Sequence, residues 1–334
     1  MNAVIKSISN YIPERRQTSN EIEALIREQS PNLKVPRGIV EILTKMKSRP
    51  VAADGEFPSL LAAKASQRAL DKAGLSAIDL DLILFASAGQ DLIEPATGNI
   101  VQELIGANCP IIDVKNACNS FLNGLEIARA FVRSGQYRRI LVATGETPSA
   151  ISRYHFADRV AFRDGFAGLT LGDAGGAAIV EATDAGVGIF FSKFTTRGQF
   201  WGLATLPGGG ARHPRGEEFM QFHGDGTKLK NTFLEINNSL INEALESANR
   251  TYDDFAQIYI HQVSYPFLQE TVDKLGAPRE KIFVTVKDYG NLVSASLPSA
   301  ISLSLEQGVV RPGDEVLVIG LASGISVGIM MIKL

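Results

Sequence analysis

Residues 69–89 read ALDKAGLSAIDLDLILFASAG, and residues 244–264 read ALESANRTYDDFAQIYIHQVS. Each stretch opens with Ala-Leu in the tail of a helical segment, passes through a polar, acidic turn and ends in an apolar run suited to a strand. The parallel extends outward. RRILVATGE (138–146) precedes LTLGDAGGAAIVEA (169–182) in the first half, and DEVLVIGLASG (314–324) precedes ISVGIMMIKL (325–334) in the second. Strands alternating with helical stretches argue for α/β layers, and the near-continuous apolar runs LILF, ILVA and VLVI suit strands covered on both faces. The chain therefore reads as two similar α/β halves, 1–185 and 186–334. It is a single duplication and not the longer array of a solenoid.

The connection SKFTTRGQFWGLATLPGGGARHPRGEEF (192–219) is rich in Gly, Arg and Pro and reads as a long irregular segment. Its LPGGGARHP piece matches neither a dinucleotide fingerprint nor a phosphate-binding loop, because GxGxxG and Gly-Lys-Ser/Thr are both missing. It reads as a turn.

With 334 residues, the chain is long enough for two sub-domains of ordinary size. Hydrophobic residues make up 45% and charged residues 21%, the balance of a soluble globular protein. A formal charge of −3 offers no source for counterion-driven nucleic-acid binding. The N-terminus MNAVIKSISNYIPERR has no signal-peptide core, and no apolar run approaches the roughly 18 residues that span a bilayer. The expected location is the cytoplasm, where Cys109 and Cys118 have little reason to form a disulfide.

Cys118 stands where the strand-like IIDV ends and a helix begins, with Phe121, Leu125, Ala128 and Val132 on one face of that helix. Unpaired NH groups at a helix N-terminus favour a thiolate, which would make Cys118 a nucleophile. A buried structural cysteine is the other reading, and Cys109 takes that one. His261 follows QIYI at the end of a strand, and Asn291 follows DYG just before a helical pattern; ligands collect at such strand ends in α/β folds. Under the duplication, Cys118 and Asn291 occupy equivalent places, each 33 residues beyond matched strand positions (85 to 118, 258 to 291). One half would then present a nucleophile and the other an oxyanion donor. A thiolate that takes an acyl group, with neutral His and Asn holding charge on a thioester oxygen, suits acyl transfer. The NH of Gly324, in GLASG, could join the NH of Cys118 in a separate oxyanion hole. His155, His213 and His223 stand in loop-like contexts and receive no role.

NAC before a helix, LGDAGGAA, HQVS, GNLVSASLPSA and GLASGISVG together resemble, in order and spacing, the motifs of the ketoacyl synthase III branch of the thiolase superfamily. The resemblance runs from ISNYIPERRQTSNEI to the last strand. It implies a five-layered αβαβα fold, a homodimer, and a tunnel through which a pantetheine arm delivers acyl groups from CoA or acyl carrier protein to Cys118. It calls for no metal and no permanently bound cofactor. Where primer-condensing members carry a bulky apolar residue, this chain has Glu94, in DLIEPATGNIV. In that respect, and in NACNSFLNGLEIA, GET (145–147) and HQVSYP, it is similar to OleA-type enzymes, which join two acyl chains head to head, and to pyrone and dialkylresorcinol synthases. The likeness implies that Glu94 reaches the partner subunit's active site as the base. A malonyl thioester makes its enolate by losing carbon dioxide, whereas an ordinary acyl thioester must lose a carbon-bound proton, and a desolvated carboxylate suits that task.

The only tryptophan, Trp201, lies in the long connection, whereas acetyl-CoA-using relatives have an adenine-stacking tryptophan in their N-terminal third. A carrier-protein donor is the alternative, with Lys45, Lys47 and Arg49 as basic residues to meet it. The expected function is thus a β-ketoacyl synthase that joins two acyl thioesters. A malonyl-dependent synthase III, an acyltransferase on the same scaffold and a non-catalytic partner subunit remain as alternatives.

Overall fold

The computed structural model of the chain describes residues 2–184 and 188–334. The expected division between 185 and 186 falls outside the described residues.

Two sheets carry the fold. The first runs, edge to edge, Asn2–Tyr11, Ala174–Thr183, Arg139–Glu146, Leu82–Ala86 and Ile111–Val114. The second runs Gly188–Thr196, Ser326–Lys333, Glu315–Ala322 and Gln257–Ile260. Both begin with two antiparallel pairings and continue with a parallel one, so they share a topology. In the first sheet a further parallel pairing joins Leu82–Ala86 to Ile111–Val114, with Ile83 opposite Ile111. At the matching place in the second sheet only one parallel bridge forms, Ile258 to Ile282. The fifth strand is thus reduced to a contact.

Side chains alternate across each strand and sort the core into layers. Leu82, Leu84 and Ala86 face inward, as do Tyr259, Val316 and Val318, and all six bury against Phe121, Leu125, Leu297 and Ile301. The helices Ser120–Ser134 and Ser296–Glu306 therefore form a middle layer between the sheets. Ile83 and Phe85 face the other way, onto Ala62, Ala65, Leu70 and Val101 of the helices Pro58–Ala73 and Thr97–Ile105. On the far side, Ile258, Ile260, Leu317 and Ile319 pack against Ile241, Ala244, Leu268 and Val272 of Gly226–Ala248 and Tyr265–Leu275. The result is helix, sheet, helix, sheet, helix: the expected αβαβα arrangement.

The helical face read from Phe121, Leu125, Ala128 and Val132 is buried as expected. The stretch 192–219 differs from expectation at its start, because SKFTT continues the strand Gly188–Thr196. Its alternating side chains pair with Ser326–Lys333, and the irregular path begins only after Thr196. It then holds a short pairing of Ala204–Thr205 with His223–Gly224. No helix among the described residues is long and apolar enough to cross a membrane.

Candidate active site

The strand Ile111–Val114 gives way to Asn116, Ala117 and Cys118, and Asn119 caps the helix Ser120–Ser134. Ala117 has φ 46°, a left-handed conformation that alanine seldom adopts. This tight elbow sets Cys118 at the helix mouth, and such strain clusters at functional sites.

The elbow is fastened to the second half. The Asn119 side-chain amide donates to the carbonyl of Ser326 at 3.0 Å and to its hydroxyl at 3.1 Å. Asn116 donates to the same hydroxyl at 3.2 Å and to Asn123 at 2.7 Å. Ser326 opens the last strand, and Gly324, with φ 95°, lies in the turn just before it. These bonds therefore tie the Cys118 elbow to the strand that follows the Gly324 turn. Asn119 also packs onto Gly320, where a Cβ would stand 2.1 Å from the Asn119 amide oxygen, so only glycine fits. Next to Gly320, the carbonyl of Ile319 accepts the backbone NH of His261 at 2.8 Å. His261 is thus brought into the same neighbourhood.

His261 is 1% exposed, and neither ring nitrogen has a hydrogen-bond partner. Burial pulls its pKa down to about 4, so the ring is neutral. A buried imidazole with two unpaired nitrogens is costly unless something else completes it. Asn291 arrives from the other direction. Gly290, with φ 68°, turns the chain so tightly against Thr170 that a Cβ would lie 2.4 Å from the Thr170 carbonyl oxygen. Asn291 then forms a bridge with Leu171, and its side-chain oxygen accepts the NH of Val293 at 2.9 Å. That bond orients the amide, and its NH2 donates to no group among the described residues. Cys118 lies 32 residues beyond the end of Leu82–Ala86, and Asn291 31 beyond the end of Gln257–Ile260, so the equivalence read from sequence holds to within one residue.

The electrostatics of Cys118 do not follow the sequence expectation. Cys118 keeps part of its surface accessible, yet desolvation by the protein packed around it, reinforced by the charge of Glu146, pushes the thiol up to about 12, and the helix terminus does not overcome this. The resting site holds a neutral thiol and a neutral imidazole. Cys109 is buried and unpaired, as its structural reading requires.

Glu146 went unassigned in sequence. It ends the buried strand Arg139–Glu146 and is 2% exposed. Its carboxylate accepts from the Ser87 hydroxyl at 2.9 Å, the Ala88 NH at 2.7 Å, the Gly89 NH at 3.0 Å and the Ser294 hydroxyl. An acid closing the otherwise uncharged run ILVATGE (140–146) was the available signal. Asn119 was equally legible only as a helix cap.

Glu94 does not join this cluster within one chain. It is exposed, at the tip of the loop between Leu82–Ala86 and Thr97–Ile105, beside Leu92 and Ile93, which are 52% and 74% exposed. The base of the loop is nonetheless fixed. Asp91 accepts the NH and hydroxyl of Ser59 at 2.9 and 2.5 Å, and Asp113 accepts the NH groups of Thr97 and Gly98 at 2.8 and 2.9 Å. Of the three basic candidates, Lys45 and Lys47 are exposed, but Arg49 is 0% exposed and is no surface cation. Its guanidinium is spent on Gln17, Ser152, Tyr154 and the carbonyls of Gly168 and Leu171.

Comparison with known proteins places this geometry. The family described as 3-oxoacyl-[acyl-carrier-protein (ACP)] synthase III matches residues 112–198, and its C-terminal part matches 245–334. The β-ketoacyl-[acyl-carrier-protein] synthase III of Ruegeria sp. is 32% identical over 335 residues, covering 99% of this chain and 98% of that one. The enzyme of that name from Neisseria meningitidis serogroup A is 29% identical over 334 residues, covering 99% of each chain. Among solved structures, the synthase III of Aquifex aeolicus superposes with a TM-score of 0.86 at 24% identity, covering 99% of this chain and all of that one. Xanthomonas campestris OleA with bound lauric acid and lauroyl-CoA superposes with a TM-score of 0.90 at 22% identity, covering 100% of this chain and 99% of that one. At these identities the structural likeness is one of fold. The matched residues and the full-length relatives show that this chain belongs to the β-ketoacyl-[acyl-carrier-protein] synthase III family of the thiolase superfamily and is a condensing enzyme.

Proposed function

We propose that the chain joins two acyl thioesters by a Claisen condensation that passes through an acyl group on Cys118. The observation that carries this reading is His261: a buried, neutral imidazole with both nitrogens unpaired, which we place together with the Asn291 amide, whose NH2 is unused among the described residues. Two neutral donors in a dry site stabilise an enolate oxygen without first being drawn into an ion pair.

In the first step His261 takes the Cys118 proton as sulfur attacks the thioester carbonyl. The NH groups of Cys118 and Gly324 hold the resulting oxyanion. Its collapse expels the CoA or carrier thiolate, which recovers the proton from His261. A second thioester then enters, and Glu94 of a second subunit removes its α proton, while His261 and Asn291 hold the enolate oxygen. The enolate carbon attacks the acyl carbonyl, Cys118 leaves as thiolate, and a β-ketoacyl thioester results, either released or cyclised after further condensation. No resident cofactor or metal enters any step.

A homodimer is part of this proposal. The strand Ile111–Val114 ends its sheet with Ile112 42% exposed, and the nearby Leu92 and Ile93 are apolar and uncovered. An open strand edge and an apolar loop tip on a fixed base both favour a second copy as cover. Donor thioesters on CoA or on an acyl carrier protein are both compatible, with Lys45 and Lys47 available to an acidic carrier. A second reading is extension by a malonyl thioester, which makes its enolate by losing carbon dioxide and has no need of Glu94; the Ruegeria relative, a synthase named for acyl carrier protein, favours a carrier-bound substrate for it.

The test is mass spectrometry of protein and products after incubation with decanoyl-CoA alone, for the wild type and for Glu94→Gln. The expected result is acylated Cys118 in both, with a β-keto product or its decarboxylated ketone only in the wild type. Acylation with no carbon–carbon product from the wild type would move the assignment to the malonyl-dependent reading.

A further inference from the structure

Two separate sets of hydrogen bonds cross between the halves at this site. One is the Asn116, Asn119 and Ser326 set already described, which ties the Cys118 elbow to the strand that follows the Gly324 turn. The other is centred on Glu146. Its carboxylate is gripped by donors from two distant segments. Ser87, Ala88 and Gly89 begin the loop whose tip carries Glu94, and Ser294 closes the turn that starts at Asn291. Thr144, on the same strand as Glu146, hydrogen-bonds both Ser294 and Ser87, the latter at 3.3 Å. All four side chains are essentially buried: Ser87 is 3% exposed, Thr144 0%, Glu146 2% and Ser294 1%. Among the described residues no cation bonds this carboxylate, so the acid is held by neutral donors.

Such a group is expensive to bury, and ion pairing does not offset the burial. Burial pushes its pKa upward while the four donors favour the charged form. Two backbone NH groups can only donate, so neither a hydrophobic residue nor a neutral amide replaces Glu146 without leaving a donor unpaired or opposed.

We infer that Glu146 is a positioning residue for the enolate step: its carboxylate fixes both the Asn291 turn of its own site and the base of the loop whose Glu94 serves the second subunit's site. The acyl-transfer step depends instead on the Asn119–Ser326 tie. This inference rests on the condensing role proposed above and divides its two half-reactions between two sets of residues.

The experiment compares Glu146→Gln, Ser294→Ala and Asn119→Ala with the wild type, reading acyl-Cys118 formation by intact mass and carbon–carbon product by chromatography. Decanoyl-CoA is the acyl donor, and decanoyl-CoA or a malonyl thioester is the second substrate. Melting temperatures are recorded alongside, and Ser294→Ala, which keeps the buried acid, guards against a Glu146→Gln chain that fails to fold. Condensation is expected to fall about 100-fold in Glu146→Gln and about tenfold in Ser294→Ala, with acylation within about threefold of wild type. Asn119→Ala is expected to show the reverse, with acylation the impaired step. A proportional loss of both steps in Glu146→Gln and Ser294→Ala, or no loss in either, overturns the inference. A wild type that condenses only with the malonyl thioester sinks the acyl–acyl reading, but the same ratio still judges Glu146. A wild type that acylates and never condenses sinks both.

Discussion

The two halves share strand order, pairing sense and the spacing from strand to site, yet they end differently. In the first half the fifth strand, Ile111–Val114, is complete and delivers the chain into the strained Ala117 elbow, with Cys118 at a helix mouth. In the second half that strand has shrunk to the Ile258–Ile282 bridge, and Gly290 turns the chain into Asn291, whose amide is aimed by its own bond to Val293. The same scaffold thus presents a nucleophile on one side and a hydrogen-bond donor on the other. The fold supplies equivalent positions, and the local turn decides the chemistry at each.

The largest expected effect falls on the first half. Cys118→Ala should leave no acyl-enzyme by intact mass and lower turnover by a factor on the order of 10⁴ or more. An adduct at wild-type levels would remove the nucleophile from this half altogether. The second half should fail more gently. Asn291→Ala should slow condensation roughly 100- to 1000-fold, the loss typical of one oxyanion donor, while acylation by acyl-CoA changes far less. Equal losses in both steps would dissolve the division of labour between the halves.

A smaller effect separates the halves by pH. His261 has a pKa of about 4 when folded, against 6.5 in an unfolded chain. As pH falls from 6.5 to 4 the unfolded state takes up the proton first, so up to about 3 kcal/mol of stability is lost across that window. Cys118 acts on the opposite limb. Its folded value of about 12 lies above the ordinary 9.0, so the unfolded chain gives up its proton first and stability declines as pH rises beyond 9.0. Urea midpoints at pH 7 and pH 4.5 should show a clearly smaller acid loss in His261→Asn than in the wild type. A variant that keeps the full acid loss would mean that another buried group is responsible.

Much of this was legible in the chain. The layers follow from near-continuous apolar runs such as LILF and VLVI, which suit strands covered on both faces, and the Cys118–Asn291 equivalence follows from spacing alone. What escaped was whatever depended on partners distant in sequence. The thiol at a helix mouth reads as activated until the protein packed around it and the nearness of Glu146 are known. Glu146 itself sits in GET, three letters that give no hint of Ser294, a residue 148 positions away. SKFTT reads as part of an irregular connection because its pairing strand lies at the far end of the chain.

Arg49 has a consequence for the reading of variants. Its guanidinium serves five residues at once, Gln17, Ser152, Tyr154, Gly168 and Leu171, and Leu171 in turn bridges Asn291. A lysine keeps the charge but gathers its donors at a single point, so it cannot span those acceptors. Arg49→Lys, which a substitution table scores as mild, is therefore a severe change here. A homologue with lysine at this position would carry a rebuilt covering over the Asn291 turn.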